Sequence, residues 1–242
     1  MRNYVIILSF LFFIILSSCG IGEKQQTSIF YAPHADDEVL SLGASILHHR
    51  NIGDKVVVVL LSEGKESNAF DAVNQKLTQS GYAKITKDEF ASSRIKEFKR
   101  SVEALGVKKD DIYLYELPDG NIDEKDVKKI MIDLNDKYQN VTHHAMSYLD
   151  PHRDHAKSGV ALKELIEEDG VKGTFYLPIQ EHETIMSKGE YNVPKKYSDD
   201  FNKSLSAYNI WNPKKELYGI GYISVQPYFE KAKESMKSKW HD

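Results

Sequence analysis

The chain has 242 residues, of which 41% are hydrophobic and 28% charged, with a formal net charge of -4. That balance excludes a disordered tail, a collagen-like repeat and a polytopic membrane protein. No stretch is basic enough to form an electrostatic footprint for nucleic acid, and a single cysteine excludes both an intrachain disulfide and a zinc ribbon.

From the N-terminus, Arg2 precedes an apolar stretch, Val5 to Leu16, interrupted only by Ser9. The stretch is short for a membrane span and gives way to small residues, which predicts a secretory signal, placed over residues 1–18 by the resemblance of its ending described below. A polar tether over residues 19–27 follows, and residues 28–242 are enough for one full domain. Ile29 to Ala32 is an apolar run closed by Pro33 and predicts a buried strand. Val39, Leu42, Ile46 and Leu47 recur at helical spacing within a predicted helix, Glu38 to Arg50. After the Gly53-Asp54 turn, Lys55 to Leu61 carries four consecutive valines, the pattern of a strand covered on both faces. Asp88 to Leu105 predicts a helix stopped by Gly106, and Ile112 to Leu117 a strand before Pro118-Asp119-Gly120. Then come a helix, Glu124 to Tyr138, a weaker strand, Val141 to Tyr148, a helix, Ala156 to Ile166, closed near Gly170, and a strand, Thr174 to Leu177. This alternation predicts an α/β fold: a mostly parallel sheet with helices on both faces. Beyond Pro178 the pattern weakens. Residues 179–213 are polar and lysine-rich, with Tyr191, Tyr197, Tyr208 and Trp211 interspersed. Leu217 to Ile223 reads as a strand and Pro227 to about Lys239 as a helix.

In such a sheet ligands bind beyond the carboxyl ends of the strands. Two acid- and histidine-rich clusters sit there: Pro33-His34-Ala35-Asp36-Asp37-Glu38 after the first strand and Asp150-Pro151-His152-Arg153-Asp154-His155 after the fourth. Parallel strands bring both to one edge of the sheet. A catalytic zinc site needs three histidine or carboxylate ligands, an open fourth position, and a base not tied up by the metal. The adjacent Asp36 and Asp37 suit both jobs. Taken singly, either aspartate reads as a helix N-cap and either histidine as a surface or hydrogen-bonded residue. Two clusters at two strand-to-helix junctions are harder to dismiss.

The residues His34-Ala35-Asp36-Asp37-Glu38 resemble the His-Pro-Asp-Asp-Glu signature of the LmbE-like, or PIG-L, zinc-dependent N-deacetylases, and His152-Arg153-Asp154-His155 resembles their second, His-x-Asp-His, signature. The resemblance covers most of residues 28–177, including Arg94-Ile95-Lys96-Glu97, Ala104-Leu105-Gly106 and Leu117-Pro118-Asp119-Gly120. It implies a Rossmann-like fold and removal of acetyl groups from N-acetylglucosamine-type sugars. It implies Zn2+ held by His34, Asp37 and His155, with Asp36 as the general base that takes the proton of the attacking water. It further implies that His152, tuned by Asp154, stabilises the oxyanion or protonates the leaving amine, and that Arg94 and Asp119 contact the sugar. As bare residues, Arg94 reads equally as a surface ion pair with Glu97 and Asp119 as a turn residue. Two departures stand out: Ala35 replaces the signature's proline, and Tyr222-Ile223-Ser224-Val225-Gln226 aligns only loosely with a C-terminal histidine before Ser-Gln. His143, His144 and His182 lie outside the signatures and read as structural or surface residues.

The Leu16-Ser17-Ser18-Cys19 ending of the signal resembles a bacterial lipobox. That implies cleavage before Cys19, lipidation of its sulfur, and a protein anchored to the cell membrane facing outside the cytoplasm. An N-acetylated sugar of the cell wall or surface is then the nearest substrate, and aromatic residues of 191–211 are candidates for a sugar platform. Two other readings compete. A non-catalytic sugar- or metal-binding lipoprotein has no need of Asp36 or His152, and a phosphoesterase calls for a second metal and more carboxylates.

Overall fold

The computed structural model describes residues 25–242, so the apolar N-terminal stretch and Cys19 lie outside the described residues. In chain order the main elements are β1 (Thr27–Ala32), α1 (Asp37–Leu40), α2 (Gly43–Ile52), β2 (Lys55–Leu60), α3 (Ala69–Gln79), α4 (Lys87–Ala104), β3 (Ile112–Leu114), α5 (Glu124–Lys137), β4 (Val141–Met146), α6 (Arg153–Asp169) and β5 (Lys172–Tyr176). They are followed by β6 (Gly189–Asn192), α7 (Ser198–Ala207), β7 (Trp211–Asn212), β8 (Leu217–Tyr218), α8 (Ile220–Ser235) and β9 (Lys237–His241).

Seven strands form one sheet in the order β3-β2-β1-β4-β5-β9-β6, while β7 and β8 pair separately. The first five are parallel, and β9 lies antiparallel between β5 and β6. This is the expected α/β architecture. Hydrophobic patterning explains the layers. The valines of β2 alternate: Val56 and Val58 pack with Phe30, Leu47, Phe98 and Val102 on one face, Val57 and Val59 with Ile29, Tyr31, Met131 and Leu162 on the other. Each such fully buried aliphatic side chain contributes about 1.5–3 kcal/mol, so a strand of this kind holds its register firmly. Helices α2 and α4 cover the first face, α5 and α6 the second.

The chain runs from β1 out through β2 to β3, then returns to place β4 on the other side of β1, with Phe30 opposite His144. The sheet therefore changes direction between β1 and β4, the place where open α/β sheets form their ligand crevice. Gly159 lets α6 seat closely against the end of β4. A Cβ there would stand 2.3 Å from the Tyr148 amide nitrogen and 2.6 Å from the Met146 carbonyl oxygen.

Several local expectations need correction, most of them near the C-terminus. The predicted strand from Leu217 to Ile223 shrinks to Leu217–Tyr218, because Gly219 turns the chain at a φ of 62° into α8. The helix expected from Pro227 to about Lys239 starts earlier, breaks its helical dihedrals at Val225 two residues before Pro227, and stops at Ser235. The next residues form β9, whose Trp240 stacks on Tyr191 of β6 and whose Ser238 hydroxyl accepts the Ser45 N–H. Helices α3 and α7 and strand β6 fall in segments where the sequence predicted no element. Among the described residues no helix is long and apolar enough to cross a membrane.

Candidate metal centre

Both clusters reach the switch point as expected. The first occupies the turn from β1 into α1, and the second leads from β4 into α6. Three donor atoms converge there. His34 Nδ1 lies 3.3 Å from His155 Nε2 and 3.6 Å from Asp37 Oδ2, and His155 Nε2 lies 3.2 Å from Asp37 Oδ2. Zinc bonds of about 2.0–2.2 Å place tetrahedral donors about 3.3–3.6 Å apart, so this triangle has the right size for one zinc ion.

The rest of each donor is committed so as to leave the correct lone pair free. His34 Nε2 lies 3.1 Å from Asp154 Oδ2 and 3.3 Å from Asp119 Oδ1, which fixes its proton on Nε2 and turns Nδ1 inward. His155 Nδ1 lies 2.9 Å from Asp150 Oδ2, which frees Nε2. Asp37 Oδ2 also accepts the His34 backbone N–H at 3.0 Å. Histidines braced by carboxylates in this way are the usual second layer of a zinc site. Burial disfavours the charged form of Asp37, but His155 and His34 outweigh it and hold the carboxyl well below the usual range.

Asp36 and Asp37 part company as adjacent loop residues can. Asp36 sits at a φ of 119°, a backbone region that costs a non-glycine residue about 1–3 kcal/mol. It is the N-cap of α1, yet its side chain makes no capping bond. Instead Asp36 lines the cavity, where burial and then the adjacent Asp37 charge push its carboxyl up to about 7, against the pull of Arg94.

His152 caps α6 with its side chain. Nδ1 accepts the Asp154 N–H at 3.3 Å, so the ring is neutral and carries its proton on Nε2. Burial, then the neighbouring His155, lowers its pKa and favours the same form. A ring nitrogen of His152 lies within 4.8 Å of donor atoms of His34 and His155. Asp154 acts on His152 through its charge, which raises the His152 pKa against the larger lowering effects, and its carboxylate bonds elsewhere. Fully buried, Asp154 braces His34 and accepts the backbone N–H groups of Gly120 (2.8 Å) and Ile122 (3.2 Å).

The cavity at this centre measures about 420 Å³. Its walls include seven of the eight expected metal, catalytic and substrate residues; the eighth, Asp154, stands behind them. Arg94 is no surface ion pair. It is 5% exposed and donates from Nη2 to the Ala35 carbonyl at 2.9 Å, while Glu97 accepts the Ile220 and Gly221 N–H groups. Asp119 takes the Glu66 N–H at 2.7 Å besides facing His34.

The walls to which the sequence reading gave no role are Leu40 and Ser41, then Gly64, Glu66, Ser67 and Asn68 after β2, and Gln180 after β5, while Ser224 and Val225, from the loosely aligned C-terminal run, line the cavity at the break in α8. Gly64, at a φ of 72°, offered a signal: a Cβ there would lie 2.5 Å from Arg94 Nε. The proposed aromatic platform is absent from this cavity, whose wall contains no Tyr, Trp or Phe. Tyr208 is buried against Glu38, Tyr191 stacks on His48, and Trp211 lies under Lys76. Tyr222 packs on Phe229 rather than lining the cavity. His143 and His144 are core residues, with Nδ1 of each near a tyrosine hydroxyl, Tyr31 and Tyr176 respectively, and His182 is buried. A larger surface hollow of about 560 Å³, along α3, has no histidine and one acid, Asp71.

A parallel-sheet α/β fold with a two-histidine, one-carboxylate donor set at its switch point defines the class of protein. The chain belongs to the GlcNAc-PI de-N-acetylase (PIG-L) family, whose model matches residues 29–166, from β1 to the last turns of α6. Comparison with curated proteins by sequence finds no match. Among solved structures the fold is similar to that of Dbv21, a pseudoaglycone deacetylase, with a TM-score of 0.65 at 15% identity over 90% of this chain and 96% of that one. The N,N'-diacetylchitobiose deacetylase from Pyrococcus horikoshii gives 0.58 at 19% identity, over 90% and 84%. GalB, the 4-carboxy-2-hydroxymuconate hydratase from Pseudomonas putida, gives 0.58 at 16%, over 89% and 94%. The fold thus also serves an enzyme named for a hydration.

Proposed function

We propose that the protein is a zinc-dependent N-deacetylase acting on N-acetylglucosamine-type sugars of the cell wall or surface. The observation that carries this reading is the separation of roles at the switch point. His34, Asp37 and His155 close a zinc-sized triangle, while the neighbouring Asp36 is held out of it in a costly backbone conformation and lines the cavity. A protein that only binds a sugar or a metal gains nothing from that arrangement.

A divalent ion in the triangle supplies Lewis acidity and makes a water molecule acidic enough to attack near neutral pH. The other roles belong to this chain. The Asp36 carboxylate accepts the proton of the attacking water and later delivers it to the departing amine. The Nε2–H of His152 faces the charge that develops on the acetyl oxygen, as a neutral donor rather than an imidazolium. Arg94 supplies fixed positive charge beside Asp36, and Asp119 offers a carboxylate at the cavity wall to a sugar hydroxyl. The similar chitobiose and pseudoaglycone deacetylases make N-acetylated glycans the first substrates to try. The test is acetate release from chitooligosaccharides and peptidoglycan fragments. Metal-dependent release supports the reading. An enzyme fully loaded with zinc that releases none, yet hydrates an unsaturated carboxylic acid, would transfer the protein to the other chemistry this fold supports.

The lipobox-like ending at Cys19 supports a lipid anchor on the outer side of the cell membrane. The described chain enters at Gln25, by the amino ends of the parallel strands, whereas the cavity opens at their carboxyl ends. Six residues of β1, at about 3.3 Å each, put about 20 Å between the two. Replacing Cys19 by Ala is expected to move the protein from the membrane fraction to the soluble one or leave an unprocessed precursor. Unchanged mass and fractionation would contradict the anchor.

A further inference from the structure

Glu38, the last residue of the first cluster, has no part in the roles assigned above, yet it is completely buried with no cation bonded to it. Every bond it makes leads toward Asp36 or away into the scaffold. Its Oε2 accepts the Asp36 N–H at 2.9 Å. Its Oε1 accepts the hydroxyls of Ser101 on α4, at 2.5 Å, and of Tyr208 at the end of α7, at 2.7 Å. Ser101 is itself 2.7 Å from the Ser204 hydroxyl of α7. One carboxyl group thus ties the backbone of Asp36 to two helices.

The arrangement resembles one half of a helix capping box, shifted by one residue. In that motif the acid at the third helical position accepts the N–H of the N-cap residue, and the N-cap side chain accepts a backbone N–H in return, whereas Glu38 stands at the second position. Here Glu38 makes the first bond, and the return bond from Asp36 is missing. The N-cap geometry is therefore held without using the N-cap carboxylate. Asp36 sits at a φ of 119°, which an ordinary residue leaves unless its surroundings over-determine it. The bond from Asp36 N–H to a buried, immobile acceptor is such a constraint.

We propose that Glu38 is a positioning residue: its carboxyl group fixes the backbone of Asp36 in the left-handed region, so that the Asp36 side chain stays out of the helix cap and in the cavity. The proposal rests on the deacetylase reading for its kinetic consequences and on geometry alone for its structural ones. It also gives the C-terminal segment a function, since Tyr208 and Ser204 of that segment steady Glu38.

The test compares Glu38→Ala with Glu38→Gln. The glutamine oxygen still accepts the Asp36 N–H, and its amide group donates to the Ser101 and Tyr208 oxygens. Glu38→Ala leaves Asp36 without its acceptor. At matched zinc content, Glu38→Ala is expected to lower kcat by about 100-fold, approaching loss of the base itself, with KM within about twofold. Glu38→Gln is expected to restore most of the loss. Equal damage in both variants, or a normal kcat per loaded Glu38→Ala molecule, would overturn the proposal. If Glu38→Ala does not fold, Tyr208→Phe loosens the same tie from its far end, and the proposal then requires a lowered kcat at unchanged zinc content; normal kcat overturns it. A crystal structure decides independently of activity. Asp36 with φ still near its original value in Glu38→Ala refutes positioning even if no substrate is ever found, whereas absent acetate release from a loaded wild-type enzyme refutes the deacetylase reading alone.

Discussion

The parallel half of the sheet and the segment after β5 contribute to the same cavity in different ways. Strands β1 and β4 deliver His34, Asp37 and His155, the bracing Asp150 and Asp154, and the base candidate Asp36, all from two short runs at strand ends. The segment from Gln180 onward delivers Gln180, Ser224 and Val225 to the rim, and behind it Tyr208 and Ser204, which reach the centre only through Glu38. Chemistry is concentrated in local sequence, whereas shape is assembled from distant residues with no chemistry of their own. A hydratase shares this fold, so the fold by itself does not set the reaction.

If the two halves differ in this way, variants in each must fail differently. The largest effect is expected from His155→Ala. Removing one of three protein ligands is expected to abolish stoichiometric zinc binding and with it acetate release, as metal analysis of the purified protein would show. Full occupancy in that variant would mean that the triangle of donors is not the metal site. A smaller effect is expected one layer out. Asp154→Ala frees the His34 ring and leaves the Gly120 and Ile122 amides unpaired, and is expected to weaken zinc binding by about 10–100-fold in a competition titration. Were Asp154 instead a partner of His152, zinc affinity would hold and only turnover would fall. The smallest effect on the metal is expected from the C-terminal rim. Ser224→Trp narrows the cavity at the break in α8, and is expected to leave zinc bound while changing the ranking of glycan substrates by about tenfold in kcat/KM. A uniform loss across all substrates would show that the rim serves the chemistry and not the choice of substrate.

The same contrast explains how much was legible in sequence. The valine run of β2 and the helical spacing of α4 and α6 report burial directly, so the parallel architecture followed from hydrophobic period alone. The two clusters announced the centre because a metal needs particular side chains at adjacent positions. Strand β9 announced nothing. Lys237-Ser238-Lys239-Trp240-His241 is short and charged, and is extended because β5 and β6 are there to pair with it. Asp154 was placed in the right site, but its direct contact with His34 was not foreseen. The family resemblance paired it with His152, while the Asp154 carboxylate lies against His34, 120 residues away in sequence. Glu38 was written into the signature, yet its partners Ser101 and Tyr208 lie 63 and 170 residues away.

The central claim is that two adjacent aspartates divide the work, Asp37 holding the metal and Asp36 moving the proton. The most direct test is Asp36→Asn, which keeps size and shape but cannot accept a proton. At zinc content equal to the wild type, acetate release from a substrate the wild type processes is expected to fall by about 100- to 10,000-fold with zinc binding intact. Turnover close to that of the wild type would show that another group activates the water. Loss of the zinc would place Asp36 among the ligands and contradict the division of roles.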